Sequence, residues 1–288
     1  MIRSLYSGVT GIQNFQEKMD VIGNNIANVN TTGFKSGRVD FADSFSQTLR
    51  SSSGATGASS GTSAIQVGSG VTTTAIKNIY TQGSIVRTGY ETDIALSGQG
   101  FFIVRDPVTS VELATRAGDF RLDENGYLTT NTGMHVQGFS DSALSTRGDV
   151  KIDALDRPAT ADPTATLHSF SIDSEGRVRL KLTDGSEYIR GQILMQRFSD
   201  PQALVKEGLN LYSGIGSAGP LGGSTTPQSE PAGTNGLGRM ESGALEISNV
   251  DLANEFSNMI ITQRAFQSSA RLITTSDEML QELVNLKR

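Results

Sequence analysis

Cysteine is absent from the 288 residues, which removes disulfides, thiolate nucleophiles and Cys-ligated zinc together. A chain without it suits work outside a reducing cytosol without bridges. Tryptophan is absent too, aromatic residues make up 6% and hydrophobic residues 36%, against 32 glycines. Apolar side chains are thinly spread, so part of the chain is expected to stay unfolded when alone. The length still allows one or two domains with a substantial core. Clustered positive charge is also missing: the formal charge of -6 argues against a phosphate-tracking surface and excludes nucleic acid as a partner. Long apolar runs are lacking as well. The amino terminus, "MIRSLYSGVTGIQNF", has no unbroken apolar stretch, and no later segment approaches the roughly 20 apolar residues of a membrane span. No membrane span is expected, and any export must use a route without a cleaved signal peptide.

Catalytic chemistry is equally sparse. His135 and His168 have no neighbouring ligand at metal spacing and no nucleophile motif nearby. "GIGSAG", residues 214 to 219, matches Gly-x-Gly-x-x-Gly in form, but Pro220 and Gly222-Gly223 follow where a dinucleotide fold needs a helix. Glu91 and Asp93 flank Thr92 just before a predicted strand, a common place for edge acids rather than a catalytic pair. The expectation is no catalytic residue, no metal, no cofactor and no enzyme.

What the chain does have is a long stripe at each end. Leu252, Phe256, Met259, Gln263, Phe266, Ala270, Ile273, Asp277, Leu280 and Val284 step by alternating fours and threes, a heptad rhythm. Ser248 followed by Asp251 resembles a capping box, and nothing from Val250 to Leu286 is Gly or Pro. One helix of roughly 35 residues is predicted, about 55 Å long. Leu5, Val9, Ile12, Met19 and Ile26 keep the same rhythm, interrupted by Gln16 and Gly23, and predict a second helix from about Ser4 to Ala27. Gly8, Gly11 and Gly23 each cost about 1 kcal/mol there relative to Ala. Two readings fit: an intramolecular antiparallel pair on a globular core, or self-assembly, in which other copies cover the stripes and the glycines let backbones approach closely.

Between the stripes, "DIALSGQGFFIV", "FRLDENGYLTT", "SFSIDSEGRVRLKLTDGSEYI" and "GQILMQRF" are short alternating runs separated by turns, which predicts an antiparallel β domain. Asp123-x-x-Gly126 and Asp173-x-x-Gly176 are turns in which Asp caps and Gly takes positive φ; the spaced oxygens of a calcium loop are missing. Residues 51 to 63 and 214 to 238 are low-complexity Gly, Ser, Thr and Pro runs, expected as flexible or extended connections. Phe41, Phe45 and Leu49 make "FADSFSQTL" a short amphipathic piece. The fold class is therefore α+β: terminal helices at residues 1–30 and 250–288, a linking or bridging segment at 31–75, and a central antiparallel all-β domain at 76–249.

Directly behind the first stripe comes "VIGNNIANVNTTGFK", with four asparagines and two threonines. "NNIANVNTTGFK" resembles the amino-terminal signature of the bacterial flagellar rod and hook family. "SNVDLANEFSNMIITQRAFQSSARLITTSDEMLQELVNLKR" and "GFKSGRVDFADSFSQTL" are similar to the hook protein, as are "TDIALSGQGFFIV" and "TRAGDFRLDENGYL" in the β region. After "MHVQGF" many hook proteins continue into a separate outer domain, which this chain lacks.

The resemblance implies terminal helices packed as a coiled-coil-like inner layer around a channel, with the β domain outside. It implies a hook subunit polymerising into a curved universal joint that carries torque from rod to filament, located in the flagellar hook-basal body. The implied partners are other copies of itself, rod, hook cap and hook-filament junction proteins, and the flagellar type III export apparatus. A distal rod subunit, part of a straight drive shaft, is the alternative. A secreted surface-binding β protein with coiled-coil ends is a more distant one. The assembly contacts expected on this reading are Leu5, Val9, Ile12, Leu252, Phe256, Met259, Phe266, Ile273 and Leu280, with Asn24, Asn25 and Asn28, and Asn30 beside them, bonding to neighbouring subunits. Those asparagines also fit a plain helix end at a solvated turn.

Overall fold

A computed structural model describes residues 2–54, 60–153, 165–221, 230–234 and 236–286. Parts of both low-complexity runs, residues 55–59, 222–229 and 235, lie outside them. The chain divides into two compact units, one of residues 1–27, 36–79 and 250–288, the other of residues 28–35 and 80–249.

The first unit holds both long helices, α1 (Ile2–Ala27) and α2 (Leu252–Leu286). Asp251 starts α2: its Oδ1 accepts the main-chain N–H groups of Ala253 at 2.9 Å and Asn254 at 3.3 Å. A carboxylate there meets two otherwise unpaired first-turn donors and the positive end of the helix. The cap is therefore Asp251 rather than Ser248.

Strands β1 (Gly37–Asp43) and β4 (Val71–Asn78) pair antiparallel, with a bulge between Asp40 and Phe41. Between them lie β2 (Ser46–Arg50) and β3 (Ile65–Gly68), a second antiparallel pair whose residues are all exposed. "FADSFSQTL" is thus extended chain. Phe41 stands edge-on to Phe15 of α1, ring centroids 6.2 Å apart, whereas Phe45 and Leu49 face water.

The second unit is β throughout. Its strands in chain order are β5 (Ile85–Arg87), β6 (Ile94–Ser97), β7 (Phe101–Arg105), β8 (Glu112–Thr115), β9 (Phe120–Leu122), β10 (Leu128–Thr130), β11 (His135–Phe139) and β12 (Arg147–Asp149). There follow β13 (Leu167–Ile172), β14 (Arg177–Leu182), β15 (Glu187–Gln196), β16 (Val205–Gly208), β17 (Leu211–Ser213), β18 (Glu230–Pro231), β19 (Arg239–Ser242) and β20 (Ala244–Glu246). The main sheet runs β13-β14-β15-β11-β7-β8-β17-β16, with β9, β10, β12 and β18 attached beside β11 and β15; β5 pairs with β20 and β6 with β19.

The local sequence explains this arrangement. Along β14, Val178, Leu180 and Leu182 point inward and Arg179 and Lys181 outward, the period of two that a half-wet strand needs. The continuous apolar run of β7 is buried on both faces. Phe102 and Val104 join Ile94, Leu128, Val136 and Ile193, while Phe101 and Ile103 join Phe198, Leu204 and Tyr212. Gly126 and Gly176 take φ near +80°, and each donates its N–H to the turn aspartate's carbonyl, at 2.9 Å for Asp123 and 2.8 Å for Asp173. His135 stacks on Tyr127 and lies 2.9 Å from Asp149, while His168 is exposed on β13.

Candidate assembly interface

Two asparagines eleven positions apart, and so on nearly one line of α1, strap the helix to the first strand pair. Asn14 donates to the carbonyls of Thr10 at 2.7 Å and Val71 at 3.0 Å, and accepts from Thr73 Oγ1 at 2.7 Å. Asn25 forms a two-way bridge to Gly37: its Nδ2 donates to the carbonyl, and its Oδ1 accepts the N–H, both at 2.9 Å. It is only 1% exposed, and its amide also donates to Glu255 Oε1 at 3.3 Å on α2. Asn25 therefore spends its amide inside its own chain, where an orphaned amide would cost about 1–3 kcal/mol. Asn28 acts in a turn, its carbonyl and Oδ1 both accepting from Thr31 at 3.1 Å, and Asn24 and Asn30 are exposed.

The helices run antiparallel, Gly8 lying beside Ser269, Leu272 and Ile273 at one end and Asn25 beside Glu255 at the other. A methyl group on Gly8 would stand 3.0 Å from Ile273 Cγ1, and one on Gly11 3.1 Å from Ser269 Oγ. These two glycines permit close approach; Gly23 has nothing within 4 Å of that position.

On α2 the side turned away from solvent carries Met259, Thr262, Phe266, Ser269, Ile273, Ser276 and Leu280. Half of it is the expected stripe. The rest is rotated, with Thr262 and Ser276 buried where Gln263 and Asp277 were expected, and Ser269 half-buried beside the expected Ala270. Small hydroxyl residues can be buried because they satisfy themselves: Thr262 Oγ1 donates to Asn258 O and Ser276 Oγ to Leu272 O, each at 2.7 Å. Burial raises the Glu255 carboxyl above its ordinary value, partly offset by the Asn25 hydrogen bond.

The pairing leaves much of both stripes uncovered. Leu5, Ile12, Met259, Phe266, Ile273 and Leu280 are half-buried. Val9, Leu252 and Phe256 are 43%, 40% and 50% exposed. At 3.6 residues per turn, Leu252, Phe256 and Ile260 lie to one side of the seam and Ile261, Leu272, Met279 and Leu283 to the other, all exposed. A lone helix pair gains nothing from two wet apolar flanks, whereas helices contacted on both sides would cover them.

In the β unit the buried Glu246 gathers three stretches of chain. Its Oε1 accepts from Lys35 Nζ at 2.6 Å and Gly83 N at 2.9 Å, its Oε2 accepts from Arg116 Nε at 2.6 Å, and its carbonyl accepts Gly33 N–H at 2.8 Å. Lys35 also donates to Thr81 O at 2.9 Å, while Arg116 donates to the carbonyls of Gly98 and Gly100. Burial lowers the Lys35 pKa despite Glu246 beside it. Burial alone would raise Glu246, but Arg116 and Lys35 hold it below the ordinary carboxylate value. Sequence reasoning missed this cluster, because three charged residues so far apart carry no spacing signal. Lys35 does close the amide-rich stretch, the one hint available.

Residues 5–35 match the family described as flagella basal body rod protein, residues 95–180 the flagellar hook protein FlgE/F/G D1 domain, and residues 241–286 the flagellar basal body rod FlgEFG protein C-terminal family. The chain is 43% identical to the flagellar basal-body rod protein FlgG of Bacillus subtilis, with 100% of each chain covered. It is 36% identical to FlgG of Buchnera aphidicola subsp. Schizaphis graminum, over 99% of this chain and 100% of that one. With the flagellar hook protein FlgE of Borreliella burgdorferi it shares 28% identity over 449 residues, all of both chains being covered.

Proposed function

The chain belongs to the bacterial flagellar rod and hook family, and from that premise we propose that it is a subunit of the distal rod, the straight shaft, rather than of the curved hook. As a member of that family it is a structural component of the bacterial flagellum and not an enzyme. The observation that carries the rod reading is length together with identity: the rod protein of Bacillus subtilis matches over 288 residues with 100% of both chains covered. Alignment to the hook protein of Borreliella burgdorferi stretches to 449 residues. The excursion after "MHVQGF" supports the same choice, since β11 ends at Phe139 and β12 begins at Arg147, leaving a short loop where a larger subunit has room for a domain. The resemblance of the carboxyl end to hook proteins speaks for the hook instead.

The mechanism on this reading is mechanical. Copies pack as a coiled-coil-like tube through the apolar flanks of α1 and α2, with Leu5, Val9, Ile12, Leu252 and Phe256 in contact between subunits. Met259, Phe266, Ile273 and Leu280 serve the seam within each subunit and the edges beside it. The β2–β3 pair, exposed at every residue, is too small to be stable alone and bridges to a neighbouring copy. Rod, hook and cap proteins and the flagellar export apparatus are the further partners.

The test is cryo-electron microscopy of the concentrated full chain beside a chain lacking residues 1–30 and 250–288. Straight tubes from the full chain, lost on trimming, are the expected result. Supercoiled tubes would replace the rod by the hook, and a small closed oligomer or a monomer would count against the tube contacts assigned to the helices.

A further inference from the structure

We propose that a cavity of about 280 Å³ beside the Glu246 cluster binds a small carboxylate, its oxygens meeting Lys35, Arg116 and Arg197 and its apolar body lying against Tyr80, Phe101 and Phe198. The site lies within the β unit and stands whether the subunit belongs to the rod or the hook.

Charge is the first observation. Lys35, Arg116 and Arg197 all line the cavity. Among the described residues the one carboxylate bonded to them is Glu246, 2.6 Å from Lys35 and from Arg116. Arg197, half-buried, forms no ion pair among the described residues. Three cations thus share one carboxylate. Burial lowers the Lys35 pKa, Glu246 opposes the shift, and the like charge of Arg116 lowers it further. Positive charge in excess inside a protein is costly until an anion meets it.

Unused donors point the same way. An ammonium has three N–H groups and a guanidinium five. Lys35 Nζ donates to Glu246 Oε1 and Thr81 O. Arg116 donates from Nε to Glu246, from Nη1 to Gly100 O and from Nη2 to the carbonyls of Leu96 and Gly98. One N–H on each therefore has no acceptor among the described residues. The turn that forms part of the lining has its own acceptors committed, since Gln99 O, between the two glycines, takes Gly238 N–H at 2.8 Å.

The shape of the lining selects the class of anion. Phe101 and Phe198 are buried with ring centroids 5.5 Å apart, and Tyr80 stands edge-on to Phe101 at 5.7 Å. Phosphate carries oxygen on every side and would set charge against these rings. A carboxylate carries its charge at one end and an apolar body behind it. Pockets for drug-sized ligands run from roughly 300 to 1,000 Å³, so this one suits a small acid.

Titration calorimetry of the unassembled full chain with sodium benzoate tests the site, with neutral benzamide, acetate and inorganic phosphate beside it. Benzoate is expected to bind one per chain, about tenfold or more tighter than each of the other three. Arg197→Gln should weaken benzoate about tenfold and leave the melting temperature of the ligand-free chain unchanged. Ser199→Glu, an exposed change in the lining, should weaken it to a similar degree by repelling the carboxylate. No benzoate binding, or benzamide binding as tightly, would overturn the proposal. Acetate as tight as benzoate, or phosphate tighter, would overturn the apolar body, and unchanged affinity in either folded variant would overturn the placement in this cavity. Benzoate bound by the free chain but excluded from the assembled polymer would overturn a free acid as the occupant in favour of a neighbouring copy's carboxylate.

Discussion

Glu246 sits between two cations in a site almost closed to water, with side-chain exposures of 2% for Lys35, 6% for Arg116 and 1% for Glu246 itself. One negative charge faces two positive ones, so the members are not equivalent. Glu246→Gln leaves two buried cations unmatched and is expected to cost about 3–5 kcal/mol in urea denaturation. Lys35→Met leaves the Arg116 pair balanced and should cost clearly less; equal costs would show that charge balance does not govern the site. The pH dependence has a definite sign. Because the folded carboxyl of Glu246 titrates below its ordinary value, its contribution is complete above the carboxylate range and is lost as pH falls through it, so the Gln variant should have a flatter acid limb. Little of this was legible beforehand. Asn25 stood out in the sequence, but its amide suited a neighbouring subunit as well as it suits Gly37, and only the folded chain brings Gly37 to it.

The helices were the most legible elements, because a period of three and four over many turns has no other regular solution. Their seam was not, because Thr262, Ser269 and Ser276 read as surface until the hydroxyl bonds back to their own helix are seen. The glycines of α1 divide in the same way. Gly8→Leu would drive a side chain into Ile273 and is expected to cost about 1–3 kcal/mol of stability in the unassembled subunit. Gly23→Ala meets open space and should instead add up to about 1 kcal/mol of helix stability. Far-UV circular dichroism during thermal unfolding of both variants checks the pair, and a shift of the same sign in both would refute this division. The strands of the β unit were legible from their turns, and their order was not, because pairing such as β7 with β11 joins segments with no local signal.

At the scale of the whole molecule, the two units differ in how completely they bury what they contain. Phe102, Val104, Val136 and Ile193 are fully enclosed in the β unit, while both helices keep apolar flanks in water. Amide hydrogen exchange on the unassembled subunit should therefore find β7, β11 and β15 far better protected than α1 and α2. On polymerisation the helices should gain protection while the strands change little. Strong protection of the helices before assembly would count against the tube contacts. The stretch of residues 80–249 leaves the first unit after β4 and returns to it before α2. Its two ends are fastened together: β5 pairs with β20, Ile247 N–H donates to Ser84 O at 2.9 Å, and Asn249 Nδ2 donates to Thr81 Oγ1 at 2.9 Å. The two points where residues 80–249 begin and end are therefore held side by side, like the two ends of a loop gathered in one knot. The stretch between them can lengthen or shorten without moving those ends apart.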